Sequence, residues 1–193
     1  GYMYGGGADG LLDDILQINE ILKNRFPEAP LVLFGHSMGS LAVRAFTRKY
    51  GDEGHMDALV VCGSPSKNSA RPIGEFLARL AKARYGDRHV CSRLEKLSFG
   101  GYAKKFPGET SPACWVCSDK RVVEEYDASP LCGFTFTADA YLVLFDLMKQ
   151  AYAKEGWHVS NAMLPVFFAA GYEDPCIGSV KKFHKAIKAM QEV

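Results

Sequence analysis

The sequence predicts an α/β protein in which a parallel sheet carries flanking helices and is interrupted by a mainly helical insertion. Two apolar runs of strand length, at 31–34 and 58–62, lack polar alternation, which is typical of parallel strands buried on both faces. A segment with helical periodicity separates them. A third strand, at 164–170, follows only after a long and partly irregular stretch, so the insertion falls between the second and third strands.

The first predicted helix runs from Leu11 to Phe26, because its apolar residues recur every three to four positions. A glycine-rich loop precedes it (Gly5, Gly6, Gly7 and Gly10). Asp9 is in position to cap this helix, and Asp13 and Asp14 are expected in its first turn, where the helix dipole favours negative charge.

Four later helices are predicted from the same periodicity, at 38–50, 72–84, 138–153 and 180–190. One face of the second carries four apolar residues (Ile73, Phe76, Leu77 and Leu80). The stretch 99–136 is aromatic, and Gly and Pro interrupt it too often for a simple crossover. We therefore divide the chain into a core, 1–63 with 160–193, and a cap insertion, 64–159.

The composition excludes several classes of protein. The 193 residues are 48% hydrophobic and 23% charged, values of a folded globular domain. A net charge of +1 gives no electrostatic reason to expect nucleic acid as a partner. No apolar run approaches the roughly 20 residues of a membrane-spanning helix, so we expect no transmembrane segment.

Six cysteines follow no disulfide-framework spacing (Cys62, Cys91, Cys114, Cys117, Cys132 and Cys176). Free thiols in a reducing compartment are therefore expected, and we predict a cytoplasmic protein. Cys114 and Cys117 have the spacing of half a zinc site or of a redox pair, but no second pair of that spacing follows. We expect no metal.

The pentapeptide Gly35-His36-Ser37-Met38-Gly39 fits the pattern Gly-x-Ser-x-Gly between a predicted strand and a predicted helix, the setting of a nucleophile elbow. Such a turn is expected to be too tight for side chains at Gly35 and Gly39 and to lift the Ser37 hydroxyl clear of the sheet. The backbone N–H of Met38 is then the expected oxyanion donor. The alternative is a Gly-Ser turn that only caps a helix.

A serine nucleophile of this kind needs an acid after a later strand and then a histidine. Asp174 follows the third predicted strand, and it is a better candidate for the acid than Glu173 because Pro175 fixes the next turn. An aspartate that merely caps its own turn is the alternative.

None of the five histidines is a convincing base. His36 adjoins the serine, where neighbouring side chains diverge, so a packing role is expected for it. His55, His89 and His158 precede the acid, and His184 lies on the final predicted helix rather than in a loop. The triad histidine is therefore unknown.

The chain resembles the α/β-hydrolase superfamily, in particular its lysophospholipase and monoacylglycerol lipase branch with serine aminopeptidase-like members. The resemblance rests on the elbow at 30–40, on cap segments at 99–102, 115–119 and 131–137, and on the acid loop at 171–175 with Gly178. It implies Ser37 as nucleophile, Met38 as oxyanion donor and Asp174 as triad acid.

The resemblance also implies a partial α/β-hydrolase fold. The family's opening strands, its His-Gly loop and its closing histidine loop have no counterpart here, so we expect an internal fragment whose base lies outside the chain. The implied substrate is a small-molecule ester, a lysophospholipid or a monoacylglycerol-like lipid, and no cofactor is expected. Peptidase, thioesterase or acyltransferase chemistry and a catalytically silent binding module remain alternatives.

Aromatic residues of the predicted cap leave two roles open, the lining of an acyl-chain pocket or the cap's own small core (Phe99, Tyr102, Phe106, Trp115, Phe134, Phe136, Tyr141 and Phe145). Acyl-chain preference, head group and oligomeric state are not predicted by the sequence.

Overall fold

A computed structural model describes the whole chain except five residues (Gly1, Tyr4, Gly5, Glu53 and Ala162). Gly5 of the predicted glycine-rich loop therefore lies outside the described residues. The chain forms two compact units. The sheet unit comprises Tyr4–Asn68 with Leu144–Val193, and the helical unit comprises Gly1–Met3 with Ser69–Val143. The predicted cap, 64–159, extends beyond the helical unit's Ser69–Val143 at both ends.

Three parallel strands form the sheet of the described residues in the order β1-β2-β3. They are β1 (Val32–His36), β2 (Ala58–Cys62) and β3 (Val166–Ala169). The predicted α/β class with a parallel sheet is confirmed. The first strand was predicted at 31–34, and its predicted end is wrong: Gly35 and His36 continue the pairing with β2, opposite Val61 and Cys62.

The expectation that the strands are buried on both faces is wrong. On one face, Leu59 and Val61 of β2 are 1% and 0% exposed, because α2 (Met38–Tyr50) packs against β1 and β2. On the other face, Phe34 and Phe167 are 64% and 65% exposed. No described helix of the sheet unit buries that second face, and β1 is an edge strand with one paired side.

Seven helices are described: α1 (Gly7–Arg25), α2 (Met38–Tyr50), α3 (Arg71–Tyr85), α4 (Ser92–Phe99), α5 (Lys120–Ala128), α6 (Ala138–Ala151) and α7 (Val180–Gln191). Four of them, α2, α3, α6 and α7, fall at the predicted positions. The short helices α4 and α5 were not predicted. None of the described helices combines the length and the apolar character needed to cross a bilayer.

The first helix begins at Gly7 and not at Leu11. Asp9 consequently lies inside the first turn, and the predicted capping role is wrong, since Gly6 precedes the helix without any side-chain cap. Burial of Ala8 and Leu12 explains the earlier start, because packing of this turn outweighs the weak helix propensity of its glycines. Asp13 lies beyond the first turn and accepts a hydrogen bond from Lys49 of α2 at 2.9 Å.

The helical unit has its own small core. Helix α3 packs against α4. The first residues of α6 belong to this unit, and its Tyr141 is fully buried, with a hydroxyl that donates to the Glu95 carboxylate at 2.8 Å. Burial, and then the bond to Glu95, raises the pKa of the Tyr141 hydroxyl far above its ordinary value. The hydroxyl is thus a neutral structural donor.

Candidate active site

Ser37 occupies the turn between β1 and α2 in a strained backbone conformation. Its φ is +53°, the one positive φ of a residue other than glycine among those the structure describes. Such a conformation costs roughly 1–3 kcal/mol and persists only where the surroundings hold it. The Ser37 N–H donates to the carbonyl of Cys62 in β2 at 2.9 Å, and the Ser37 carbonyl accepts the Ser40 N–H at 3.0 Å. The strain therefore lies at the residue that the motif assigns as nucleophile.

Met38 is the first residue of α2. The N–H of a first helical residue has no carbonyl to accept it within the helix, and it lies at the positive end of the helix dipole. This N–H is therefore free of the intrahelical ladder and suited to an anionic oxygen beside Ser37.

The two glycines of the motif differ. A methyl group placed on Gly35 would lie 2.4 Å from the carbonyl oxygen of Gly39 and 2.7 Å from Cγ2 of Val43, so the strand and the helix leave no room there. A methyl group placed on Gly39 would meet nothing within 4 Å. The expectation that the turn excludes a side chain at Gly39 is wrong, because Gly39 lies on α2 with its hydrogen pointing into open space.

Asp174 follows β3 and caps a 3-10 turn, Pro175–Ile177. One carboxylate oxygen, Oδ1, accepts the N–H of Cys176 at 2.8 Å. The capping role considered as the alternative is thus real for this oxygen. The second oxygen, Oδ2, faces Gly63, where a methyl group would lie 3.3 Å from it.

Gly63 is the point where the candidate residues converge, and the sequence reasoning missed it. A methyl group on Gly63 would also lie 3.2 Å from Nε2 of His36. Gly63 follows β2 with a φ of +54° and donates its N–H to Ala169 at 2.8 Å. Ser37, Gly63 and Asp174 therefore follow three neighbouring parallel strands at their carboxyl ends, the edge where α/β sheets bind ligands. The available signal was a glycine directly after a predicted strand.

The histidines of the sheet unit do not complete a triad. His36 is exposed, so the expected packing role is wrong. His184 is exposed on α7 with its ring 6.1 Å from that of Phe183. Within the described part of the sheet unit, no histidine hydrogen-bonds to Ser37 or Asp174. Among the described residues as a whole, no cluster of His, Cys, Asp or Glu would hold a metal ion.

A buried arginine connects the elbow helix with the acid loop. Arg44 of α2 is fully buried, and its Nη2 donates to the last carbonyl of α6 at 2.7 Å. Its guanidinium carbon lies 4.2 Å from the ring centroid of Tyr152, whose hydroxyl donates to the carbonyl of Pro65 at 2.8 Å. The next residue, Ser66, donates its N–H to Cys176 in the acid loop at 3.1 Å. The loop after β2 is thus held from both sides.

In the helical unit, the aromatic residues pack on one another. The Tyr102 ring lies 5.7 Å from that of Phe99 and 4.9 Å from that of Trp115. Phe136 contacts Tyr141 with 5.6 Å between ring centroids. These contacts support the core role for these five residues.

The strained serine after a parallel strand, with an acid beyond a later strand of the same sheet, is the arrangement of a serine hydrolase of the α/β class. The sequence model of the family described as serine aminopeptidase, S33, matches residues 3–192. The chain belongs to this family. A comparison with curated proteins gives no match.

Solved structures show the same fold at low sequence identity. A highly thermostable carboxyl esterase from Bacillus coagulans, in complex with glycerol, superposes with a TM-score of 0.83 at 20% identity and 95% coverage of this chain. A lipase in its open form gives 0.81 at 22% identity and 95% coverage. A monoacylglycerol lipase from Paleococcus ferrophilus gives 0.58 at 17% identity and 94% coverage. The chain spans 59%, 60% and 61% of the length of these proteins, respectively.

Proposed function

We propose that this chain carries the nucleophile and acid of a serine hydrolase that cleaves carboxylic esters through an acyl-enzyme at Ser37. The observation that carries the proposal is the positive φ of Ser37 between β1 and the first N–H groups of α2. Backbone strain of this kind concentrates at functional sites. Asp174 at the same edge of the sheet supports it.

In the proposed reaction, Oγ of Ser37 attacks the ester carbonyl carbon while a base takes the hydroxyl proton. The carbonyl oxygen becomes an oxyanion, which accepts a hydrogen bond from the N–H of Met38. The tetrahedral intermediate then expels the alcohol, which receives the proton from the base and leaves an acyl group on Ser37. Water, activated by the same base, hydrolyses the acyl-enzyme and restores the serine.

We assign Asp174 the task of orienting the base through Oδ2, since Oδ1 is occupied by the Cys176 N–H. The base itself is proposed to be a histidine outside these 193 residues. Nε2 of His36 and Oδ2 of Asp174 both lie beside Gly63. His36 is therefore the histidine to test as the alternative base.

Lysophospholipids or monoacylglycerol-like lipids are the proposed substrates, in a cytoplasmic protein. The solved structures with the same fold include a lipase and a monoacylglycerol lipase, which favours a fatty-acyl ester. Peptide hydrolysis is the second candidate, because the family model is that of a serine aminopeptidase. Thioesterase or acyltransferase chemistry would use the same nucleophile. A catalytically silent module is the remaining alternative.

The nucleophile is tested by fluorophosphonate labelling followed by peptide mass mapping. In a longer gene product that hydrolyses esters, we expect adduct on Ser37, none on Ser37→Ala, and unchanged labelling of Ser118→Ala, an exposed serine in the helical unit. In the 193-residue chain, where no base activates Ser37, we expect labelling to be slow. A panel of a monoacylglycerol, a lysophosphatidylcholine, a p-nitrophenyl ester and an aminoacyl anilide identifies the substrate class.

Because no base is positioned, we expect the 193-residue chain to turn over esters slowly or not at all, and His36→Ala to leave that low rate unchanged. If the chain instead turns over esters rapidly, and both Ser37→Ala and His36→Ala abolish that turnover, then His36 is the base. The proposal would be refuted if, in a longer gene product that hydrolyses esters, fluorophosphonate labelled another serine and left Ser37 unlabelled.

A further inference from the structure

Helix α2 carries an arginine whose charge no carboxylate balances. Arg44 is 0% exposed within the sheet unit. None of the ion pairs found among the described residues includes it. It makes one hydrogen bond, from Nη2 to the carbonyl of Ala151 at 2.7 Å, and its guanidinium carbon lies 4.2 Å from the centroid of the Tyr152 ring. Buried charges are normally paired, so this one requires a physical explanation.

These two contacts leave part of the guanidinium without a partner. Nε and Nη1 of Arg44 form no hydrogen bond, and Oγ of Ser64 is the third buried side-chain nitrogen or oxygen of which this is true among the described residues. Ser64 precedes Pro65, whose carbonyl accepts the Tyr152 hydroxyl at 2.8 Å. The three unpartnered atoms therefore belong to two segments that both contact Tyr152.

The chemistry of these groups restricts what binds there. The carbonyl at the end of α6 and the face of an aromatic ring both attract a cation, but neither carries a negative charge. An uncompensated charge in a protein interior is costly. A water molecule would accept a hydrogen bond and leave the charge in place. A small anion would accept a hydrogen bond and also neutralise the guanidinium, whereas the complete burial of Arg44 excludes a bulky one.

We infer that Arg44 binds a small monovalent anion, such as chloride, inside the sheet unit against Nε or Nη1. The anion is a structural ligand, which stabilises the folded protein by balancing a buried charge on the helix that follows Ser37. The inference does not depend on the proposed hydrolysis, because no step of that reaction uses Arg44.

The experiment is thermal unfolding of the purified chain in sodium chloride and in sodium gluconate at matched ionic strength. Gluconate is the comparison because it is too bulky for a buried site. A ligand that binds only the folded state raises the unfolding midpoint, by roughly 5–11 °C for a chain of this size at about one hundred times its dissociation constant. We expect this rise in chloride and not in gluconate. Ser37→Ala should respond as the wild type does, which separates this result from any failure of the proposed hydrolase.

Two arginines of α2 provide matched substitutions. Arg44→Met removes the charge and keeps an unbranched apolar side chain in its place, so the chloride-specific rise should disappear. Arg48→Met is the control. Arg48 lies on the same helix and also donates to a carbonyl, that of Glu155 at 2.9 Å, but it is only half-buried. The midpoint of Arg48→Met should therefore rise with chloride as much as that of the wild type.

Crystals of the wild-type chain grown in sodium bromide locate the anion without requiring any variant to fold. We expect an anomalous bromide peak beside Nε or Nη1 of Arg44. The inference is overturned if no such peak lies beside Arg44, or if Arg44→Met keeps the chloride-specific rise. An equal rise in chloride and gluconate would be an effect of ionic strength and would overturn it as well.

Discussion

The elbow glycines provide a matched pair of substitutions, Gly35→Ala and Gly39→Ala. Both add one methyl group within five residues of each other. At Gly35 that methyl group would lie 2.4 Å from the carbonyl oxygen of Gly39, 2.7 Å from its carbonyl carbon and 2.7 Å from Cγ2 of Val43. At Gly39 it would meet nothing within 4 Å. The structure therefore predicts opposite effects on stability.

The loss of stability expected for Gly35→Ala depends on which atoms must move to make room for the methyl group. Overpacking in a core costs typically about 1–3 kcal/mol. Two of the three close atoms belong to the backbone of α2 and cannot rotate away, so the upper end, about 3 kcal/mol, is expected. For a chain of 193 residues this lowers the unfolding midpoint by roughly 6–12 °C. Gly39→Ala should instead gain up to about 1 kcal/mol, because alanine has the higher helix propensity.

The assay is thermal unfolding followed by far-UV circular dichroism, with both variants and the wild type in one buffer. Fluorophosphonate labelling of Gly35→Ala should slow in parallel, since separating β1 from α2 relaxes the strained turn at Ser37. Equal midpoints for Gly35→Ala and the wild type would refute the assigned clash. If Gly39→Ala lowers the unfolding midpoint as much as Gly35→Ala does, the reasoning that only Gly35 lacks room for a methyl group is refuted.

Asp57 accepts a hydrogen bond from Lys23 at 2.7 Å, which lowers the pKa of its carboxyl below the ordinary 3.8. A lowered native pKa stabilises the fold above pH 3.8, and that stabilisation disappears as pH falls through the native pKa, so the midpoint difference between wild type and Asp57→Asn should shrink on acidification. A difference that stays constant down to pH 2 would contradict this. Gly63→Ala and Gly54→Ala both place a side chain at positive φ, with φ of +54° and +68°, and each should cost roughly 1–2 kcal/mol. Gly63→Ala should cost more, because its methyl group also lies 3.3 Å from Oδ2 of Asp174 whereas that of Gly54 meets nothing within 4 Å; equal losses in thermal unfolding would disprove the crowding.

The sequence located the strands because each is a contiguous apolar run. It located the longer helices because their apolar residues recur every three to four positions. It failed for α4 and α5. These helices have eight and nine residues and bury one residue each, Leu94 and Val123, which is too little repetition to recognise. It also misplaced the start of α1, where burial of Ala8 outweighs the glycines around it.

The burial of the strands could not be predicted from the sequence, for a different reason. An apolar run shows that a strand can be buried, but not which strands pair or which helices cover the sheet. Among the described residues, helix α2 covers one face of the sheet and no helix of the sheet unit covers the other, so Phe34 and Phe167 on that second face are exposed. The same limit applies to α3, whose apolar face was recognised although its exposure was not.

The sequence by itself determined the elbow, because its strain is local: a strand, one residue at positive φ and a helix occupy consecutive positions around Ser37. Only the tertiary structure decided what surrounds that serine. Parallel pairing brings Gly63 and Asp174 to the same edge of the sheet although 110 residues separate them, and it places His36 against the same glycine. Contacts at that separation depend on strand order and register, which no local pattern encodes.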